Sequence, residues 1–295
     1  MVPAVARILA CLILFALGCH AEELKVATLH PLLADLARQV GGDRVEVVEL
    51  VTRNDDPHHF EPTPATLRKA TGMDLCLASG MGLESYLPSL KSILPEGARL
   101  VEIGSGLPTL AGSCDHPDHH HDEGDTDPHW WHSVDAFRRA ATSTAATFAE
   151  ADPDGADYYR SRSMTYRRKL DQLERWTRRE LARVPAEKRT LATAHAAFGY
   201  FCHEYGFTAL PVQGVNREQM PDAASLASLI GKLRDSGVTA IFPETSSNPK
   251  ILEALTADTG IRIADPLISD GTTTDSYEAM VRHNVETIVG ALGTK

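Results

Sequence analysis

The chain has 295 residues and is 43% hydrophobic, so it is long enough to bury one large core or two cores of ordinary size. Its formal net charge of −11, with no basic block outside one predicted helix, argues against nucleic acid as a partner. The acidic surface suits a protein that meets cations, although solubility alone would also explain it.

The first residues are typical of a secretion signal. Met1–Arg7 carries one positive side chain, Ile8–Leu17 is an apolar run, and small residues follow up to Ala21. A run of about ten apolar residues is too short to span a bilayer. We therefore predict a signal peptide over residues 1–21 and a soluble mature protein that is exported to the periplasm.

The cysteines leave the processing of this segment open. The tetrapeptide that ends at Cys19 resembles the lipobox of bacterial lipoproteins, but alanine stands where leucine is usual. Lipid attachment at Cys19 and cleavage after Ala21 are the two alternatives. Later in the chain only Cys76, Cys114 and Cys202 remain, an odd number that argues against a disulfide framework in an oxidising compartment.

Short apolar runs alternate with helical patterns in the first half of the mature chain. Helical spacing predicts helices over Leu32–Val40 and Glu84–Leu94. The predicted strands are Leu24–Leu29, Val45–Val51, Leu75–Ala78 and Arg99–Ile103. Such alternation predicts a parallel sheet with helices on both faces.

The middle of the chain has no strand-like run. Ser133 is a suitable N-cap for a helix over Val134–Ala149, and a turn at Pro153–Gly155 separates it from a longer helix over Ala156–Ala182. A helix of about 27 residues is roughly 40 Å long. This is long enough to run along two domains as a strut.

Strand–helix alternation resumes after Pro185. The predicted strands are Thr190–Ala194, Ala209–Val212, Ala240–Phe242 and Arg262–Ala264, and the predicted helices are Phe198–Tyr205, Asp222–Asp235, Pro249–Thr259 and Asp275–Leu292. The predicted fold class is α/β, with two Rossmann-like lobes joined by one long rigid helix. We expect an N-terminal lobe over residues 22–155, the linking helix over 156–184 and a C-terminal lobe over 185–295.

Side chains that suit a metal ion follow several of these strands. His58 lies in Asp-Asp-Pro-His-His-Phe-Glu-Pro, His129 in Asp-Pro-His-Trp-Trp-His, His195 directly after a strand, and Asp270 after the last one. Ligands of parallel sheets bind outside the carboxyl ends of the strands, so these loops can converge on one cleft. Three imidazoles and one carboxylate form a closed tetrahedral shell that suits zinc.

Other histidines compete with these candidates. His59 competes with His58, and His132 competes with His129. A proline stands directly before His58 and His129 and stiffens the backbone there, which favours these two. We expect structural or surface roles for three further histidines: His30, His203 and His283.

A histidine-rich, acidic tract covers residues 114–127, from Cys114 to Asp127. Tracts of this composition usually bind metal. We expect a mobile loop that holds zinc weakly near the mouth of the cleft, and a solvated spacer without a metal role is the alternative. Cys114 suits either a soft metal ligand or an exposed thiol.

Four segments together resemble one protein family. They are Asp56–Pro62, Asp127–Trp131, His195–Phe201, and Ile268–Asp270 followed by Asp275–Met280. In order and spacing they are similar to the signatures of the zinc/manganese solute-binding proteins of bacterial ABC importers, over essentially the whole mature chain. The resemblance implies two α/β lobes joined by a long helix. It also implies metal ligands at His58, His129, His195 and Asp270.

The resemblance implies a monomeric periplasmic protein, not an enzyme, that captures Zn²⁺ and delivers it to the membrane permease of an ABC importer. Manganese-type members tend to have glutamate where this chain has His195, and nitrogen ligands favour zinc over the harder manganese ion. Asp265 is a rival for the fourth ligand, because Asp265–Leu267 also resembles part of that loop, and some zinc-type members have no aspartate ligand.

Three other functions stay open at this point. They are a manganese-binding importer component, a metal-dependent adhesin, and an exported zinc hydrolase with Glu61 or Glu244 as its base. The hydrolase lacks a His-Glu-x-x-His helix, because Phe207 stands where the second histidine would follow His203 and Glu204.

Overall fold

The structure is a computed structural model that describes residues 23–92, 94, 97–112, 126–212, 223–244, 252–253, 256–257 and 259–294. The predicted signal peptide, residues 114–125 of the histidine tract and most of the predicted helix Pro249–Thr259 lie outside these residues. Within them, no helix combines the length and the apolar composition needed to cross a bilayer.

The first lobe contains a four-stranded parallel sheet with the order β2-β1-β3-β4. The strands are β1 (Leu24–Thr28), β2 (Val45–Glu49), β3 (Leu75–Ala78) and β4 (Arg99–Glu102). Around them lie the helices α1 (Pro31–Gly41), α2 (Pro64–Lys69) and α3 (Leu87–Lys91). All four residues of β3 are buried, as its unbroken apolar run predicts for a central strand.

Two helices form the middle of the chain, α4 (Val134–Ala151) and α5 (Ala156–Leu181). The Ser133 hydroxyl accepts a hydrogen bond from the Ala136 amide (3.0 Å) and caps α4, as its position predicts. The Asp152 carboxylate accepts hydrogen bonds from Arg44 and from the Tyr159 hydroxyl (2.6 Å), which fixes the corner between the two helices. With 26 residues, α5 is about 39 Å long.

The second lobe repeats the architecture with the strand order β6-β5-β7-β8, again all parallel. The strands are β5 (Thr190–Thr193), β6 (Thr208–Pro211), β7 (Ala240–Phe242) and β8 (Arg262–Ile263), and the helices are α6 (Gly199–Tyr205), α7 (Ala223–Asp235) and α8 (Tyr277–Leu292). The predicted fold class, two parallel α/β lobes joined by one long helix, is confirmed.

The two lobes share one continuous hydrophobic core. It extends from the first sheet through α4 and α5 to the second sheet and α8, and each lobe has a smaller core on its outer side. Tyr277, at the start of α8, stacks on Phe137 of α4 with ring centroids 3.6 Å apart. Its hydroxyl donates to the Trp131 carbonyl (2.8 Å). Side chains of the C-terminal helix therefore hold the two halves together.

In the first lobe one predicted helix is shorter in the structure, and one observed helix has no predicted counterpart. The helix predicted over Glu84–Leu94 is shorter, because the Glu84 carboxylate turns back to accept hydrogen bonds from the Ser79 (2.6 Å) and Gly80 (3.0 Å) amides. The helix α2 was not predicted from the sequence, since six residues are too few for a visible periodicity. Its signal was Pro64 at the first helical position, directly after Thr63.

Candidate metal site

Four side chains meet between the lobes, at the carboxyl ends of the strands. His58 follows β2 and His129 follows β4, whereas His195 follows β5 and Asp270 follows β8. Each offers one ligand atom, and these atoms all lie within 4.8 Å of one another. The structure thus brings together all four residues that the sequence predicted, with two from each half of the chain.

Two of the distances between the ligand atoms are close to those around a small tetrahedral ion. His58 Nε2 lies 3.3 Å from His129 Nε2 and 3.6 Å from the Asp270 Oδ1. Zinc bonds of 2.0–2.1 Å place neighbouring ligand atoms about 3.3 Å apart. The His195 ring centroid is 5.3 Å from that of His129 and 5.9 Å from that of His58. The three imidazoles therefore lie close together, each with a ring nitrogen in the group of ligand atoms.

His129 is fully buried and is held by the carboxylate of Asp127. One carboxylate oxygen of Asp127 accepts from the His129 backbone amide (2.9 Å) and lies 2.8 Å from its ring Nδ1. Burial lowers the pKa of His129 below its ordinary value of 6.5, with the nearby Asp127 opposing this shift. The ring is thus neutral at pH 7, with Nδ1 directed to Asp127 and Nε2 directed to His58.

His195 is held in a similar way by Glu244. The backbone amide of His195 donates to Glu244 Oε1 (3.0 Å), and its ring Nδ1 lies in direct contact with Glu244 Oε2. Both ring nitrogens are buried: the Nδ1–Glu244 contact is an ion-pair contact outside hydrogen-bond geometry, and Nε2 has no hydrogen-bond partner among the described residues. A buried nitrogen without a partner is costly unless it binds a ligand, so this atom fits a metal ion.

The other two side chains are fixed by their own loops. The Asp56 carboxylate accepts from the His58 backbone amide (2.9 Å). The Ser269 hydroxyl donates to Asp270 Oδ2 (2.7 Å), and the Ser269 carbonyl accepts from Trp131 Nε1 (2.7 Å). This last bond ties the loop of Asp270 to the segment that carries His129.

The rival candidates lie apart from this group. His59 is exposed, with its Nδ1 3.3 Å from the Asp56 carboxylate, and Asp265 is exposed at the surface. His132 is buried but packs at a tilt against the Phe198 ring with centroids 4.3 Å apart, and burial lowers its pKa to about 3. The structure therefore places His58, His129 and Asp270, and not their rivals, in the group of ligand atoms.

The other three histidines that the structure describes are placed as expected for structural or surface residues. His30 caps α1, since its Nδ1 accepts a hydrogen bond from the Leu32 amide (3.1 Å), and burial lowers its pKa to about 3. His203 is exposed on α6, and His283 Nε2 lies 2.9 Å from the Pro266 carbonyl oxygen.

The sequence did not reveal the two carboxylates that hold the imidazoles. For Asp127 a signal existed, because it stands two residues before His129 and so can accept from that residue's amide. For Glu244 there was none, since it is 49 residues from His195 in the chain.

Comparisons with known proteins identify similar chains. A family model described as zinc-uptake complex component A, periplasmic, matches residues 26–291. The manganese-binding lipoprotein MntA of Bacillus subtilis is 30% identical over 286 residues, which cover 92% of this chain and 90% of that protein. The manganese ABC transporter substrate-binding lipoprotein PsaA of Streptococcus pneumoniae is 26% identical over 282 residues, which cover 92% of this chain and 90% of that protein.

Solved structures show the same fold. The periplasmic zinc binding protein TroA from Treponema pallidum superposes with a TM-score of 0.81 at 28% identity, covering 93% of this chain and 100% of that one. The similarity therefore extends over both lobes and the long helix.

Proposed function

This chain belongs to the family of the periplasmic zinc-uptake complex component A, and on that premise we propose that it captures Zn²⁺ and delivers it to the permease of an ABC importer. The family resemblance predicted from the motifs is confirmed, as is the predicted location outside the cytoplasm. At the level of the family, the chain is the extracytoplasmic metal-binding component of an importer that works with a membrane permease.

The donor atoms of the site support zinc as the ion. Three imidazole nitrogens and one carboxylate oxygen converge in a buried position, and such a nitrogen-rich set suits zinc better than manganese, which favours oxygen ligands. Manganese is the second candidate, because MntA and PsaA are named as manganese-binding proteins. The main support for zinc is the buried Nε2 of His195, a nitrogen atom that has no hydrogen-bond partner among the described residues and is therefore available as a ligand.

Delivery requires that a tightly bound ion can be released when its ligands separate. The ligands are divided between the lobes, so a relative shift of their loops separates His58 and His129 from His195 and Asp270. The shared core and the stacking of Tyr277 on Phe137 oppose a wide hinge motion. We therefore infer that release occurs through movement of the ligand loops, with the long helix keeping the lobes in place.

Direct titration tests the choice of ion. We expect the metal-free protein to bind Zn²⁺ at least about 100-fold more tightly than Mn²⁺ at pH 7.5, because the site offers three nitrogens. Competition with a chromophoric chelator measures both affinities, and inductively coupled plasma spectrometry gives the stoichiometry. Equal affinities, or tighter binding of Mn²⁺, would refute zinc as the preferred ion.

The fourth ligand can be tested with a matched pair of variants. Asp270→Asn replaces a buried carboxylate within 3.6 Å of His58, whereas Asp265→Asn changes an exposed carboxylate five positions earlier in the same loop. We expect the first variant to bind Zn²⁺ at least about 10-fold more weakly, since a neutral amide is a poorer ligand, and the second to be unchanged. A loss only in Asp265→Asn would reassign the ligand.

The alternative functions have less support from the geometry. Of the two conceivable hydrolytic bases, Glu61 is exposed and Glu244 is engaged by His195. Turnover of generic ester or peptide substrates by the zinc-loaded protein would favour a hydrolase. An adhesin that uses metal structurally should unfold when zinc is removed. The continuous core described above lies outside the metal site, so we expect the metal-free protein to stay folded.

A further inference from the structure

The carboxylate of Glu244 lies behind the metal site and contacts one candidate ligand residue with both of its oxygens. Its two oxygens engage the backbone amide and the ring Nδ1 of His195, and both side chains are buried, with exposures of 0% and 1%. Glu244 stands just after β7, whereas His195 follows the neighbouring strand β5. The contact therefore fixes a ligand loop against the next strand of its sheet.

Asp127 and His129 show a similar arrangement in the other lobe. Asp127 accepts from the backbone amide of His129 and contacts its ring Nδ1, at 2.9 Å and 2.8 Å. In both cases one carboxylate holds the amide and the ring nitrogen of the same histidine, although one contact is local and the other joins two strands. Because this contact occurs at two of the candidate ligands, we infer that it has a role in the metal site.

We propose that Glu244 is a positioning residue that sets the zinc affinity of the site through His195. A neutral imidazole carries one N–H, and the adjacent carboxylate holds that hydrogen on Nδ1. Only Nε2 is then left to donate electrons to the ion, in a fixed direction. A carboxylate partner also makes the imidazole a more basic ligand, which donates its electron pair to the metal more strongly. This inference rests on the proposed function, because it requires His195 to be a ligand.

A double-mutant cycle tests whether Glu244 acts through His195. We expect Glu244→Gln to weaken Zn²⁺ binding about 10- to 100-fold, the usual effect of losing an outer partner of a metal-bound histidine. In a His195→Ala background the same change should alter the affinity less than about 3-fold, because its target is gone. A merely structural role would reduce the affinity equally in both backgrounds, and that result would overturn the proposal.

Controls separate failure of this inference from failure of the proposed function. Glu84→Gln neutralises another buried glutamate that accepts two backbone amides, from Ser79 and Gly80 and not from a candidate ligand, and should leave zinc affinity unchanged. If His195→Ala binds zinc as the unmodified protein does, both the ligand assignment and this inference fail. If His195→Ala loses affinity but Glu244→Gln does not, only this inference fails.

A second variant covers the case in which Glu244→Gln does not fold. Glu244→Asp keeps the charge but is one methylene shorter, so it cannot reach both the amide and the ring of His195 together. We expect circular dichroism to show a folded protein whose zinc affinity is reduced by several-fold to about 10-fold. Unchanged affinity in this variant would count against the positioning role.

Discussion

Replacement of His58 by alanine is expected to weaken Zn²⁺ binding by at least about 100-fold, since loss of a direct ligand exceeds the 10- to 100-fold effect of an outer partner. His58 Nε2 lies within 3.6 Å of both His129 Nε2 and Asp270 Oδ1, so its removal opens the shell between the lobes. Chelator competition and calorimetry on the metal-free protein measure the change. The loss should appear for Mn²⁺ as well, because the same position is vacated.

The adjacent histidine provides the matched control. His59→Ala removes an imidazole of the same size one position later, but this ring is exposed and lies beside Asp56. We expect its zinc affinity to stay within about 3-fold of the unmodified protein, since exposed ion pairs contribute little. If His59→Ala lost more affinity than His58→Ala, the ligand assignment at this loop would be wrong.

The architecture was predictable because it depends on local patterns. The apolar runs that became β1, β3, β5 and β7 begin at the predicted residues, and the long helix ends within one residue of its predicted end. The placement of the candidate ligands followed from a general rule, that side chains after parallel strands meet at one edge of a sheet. The motifs around His58 and His129 then singled out one histidine in each pair.

Contacts between distant segments were not predictable in the same way. The contact between Glu244 and His195 depends on β7 lying beside β5, and a sequence pattern does not specify which strands are neighbours. The stacking of Tyr277 on Phe137 likewise depends on the final helix returning to the middle of the molecule. The stacking of Tyr277 on Phe137 connects the second lobe to the middle of the chain, so this coupling between the halves could be seen only in the structure.

Zinc affinity is expected to fall as the pH is lowered from 7.5 to 5.5, because an imidazole binds metal only in its neutral form. If one ligand histidine has the reference pKa of 6.5, the zinc affinity falls about 10-fold over this range. If all three have it, the affinity falls about 1000-fold. Burial lowers the pKa of His129, so this ring stays neutral at pH values where an exposed histidine is protonated. We therefore expect a loss between about 10- and 1000-fold, measured by chelator competition at each pH. Affinity that stayed flat over this range would contradict a site with three histidines.

The metal-free protein must remain folded for that measurement, and its stability has its own pH dependence. The pKa values of His30 and His132 are lowered to about 3 in the folded protein, whereas the unfolded chain takes up these protons near 6.5. Between these values the unfolded state binds more protons, so stability falls as the pH falls. Each imidazole contributes up to about 1.4 kcal/mol per pH unit to the free energy of unfolding.

The variant His132→Phe keeps a ring against Phe198 but cannot be protonated. In urea unfolding, its free energy of unfolding should depend less steeply on pH, by the slope that corresponds to about one proton. Zinc release at a pH where the metal-free protein is still folded would then be due to proton competition at the ligands and not to unfolding.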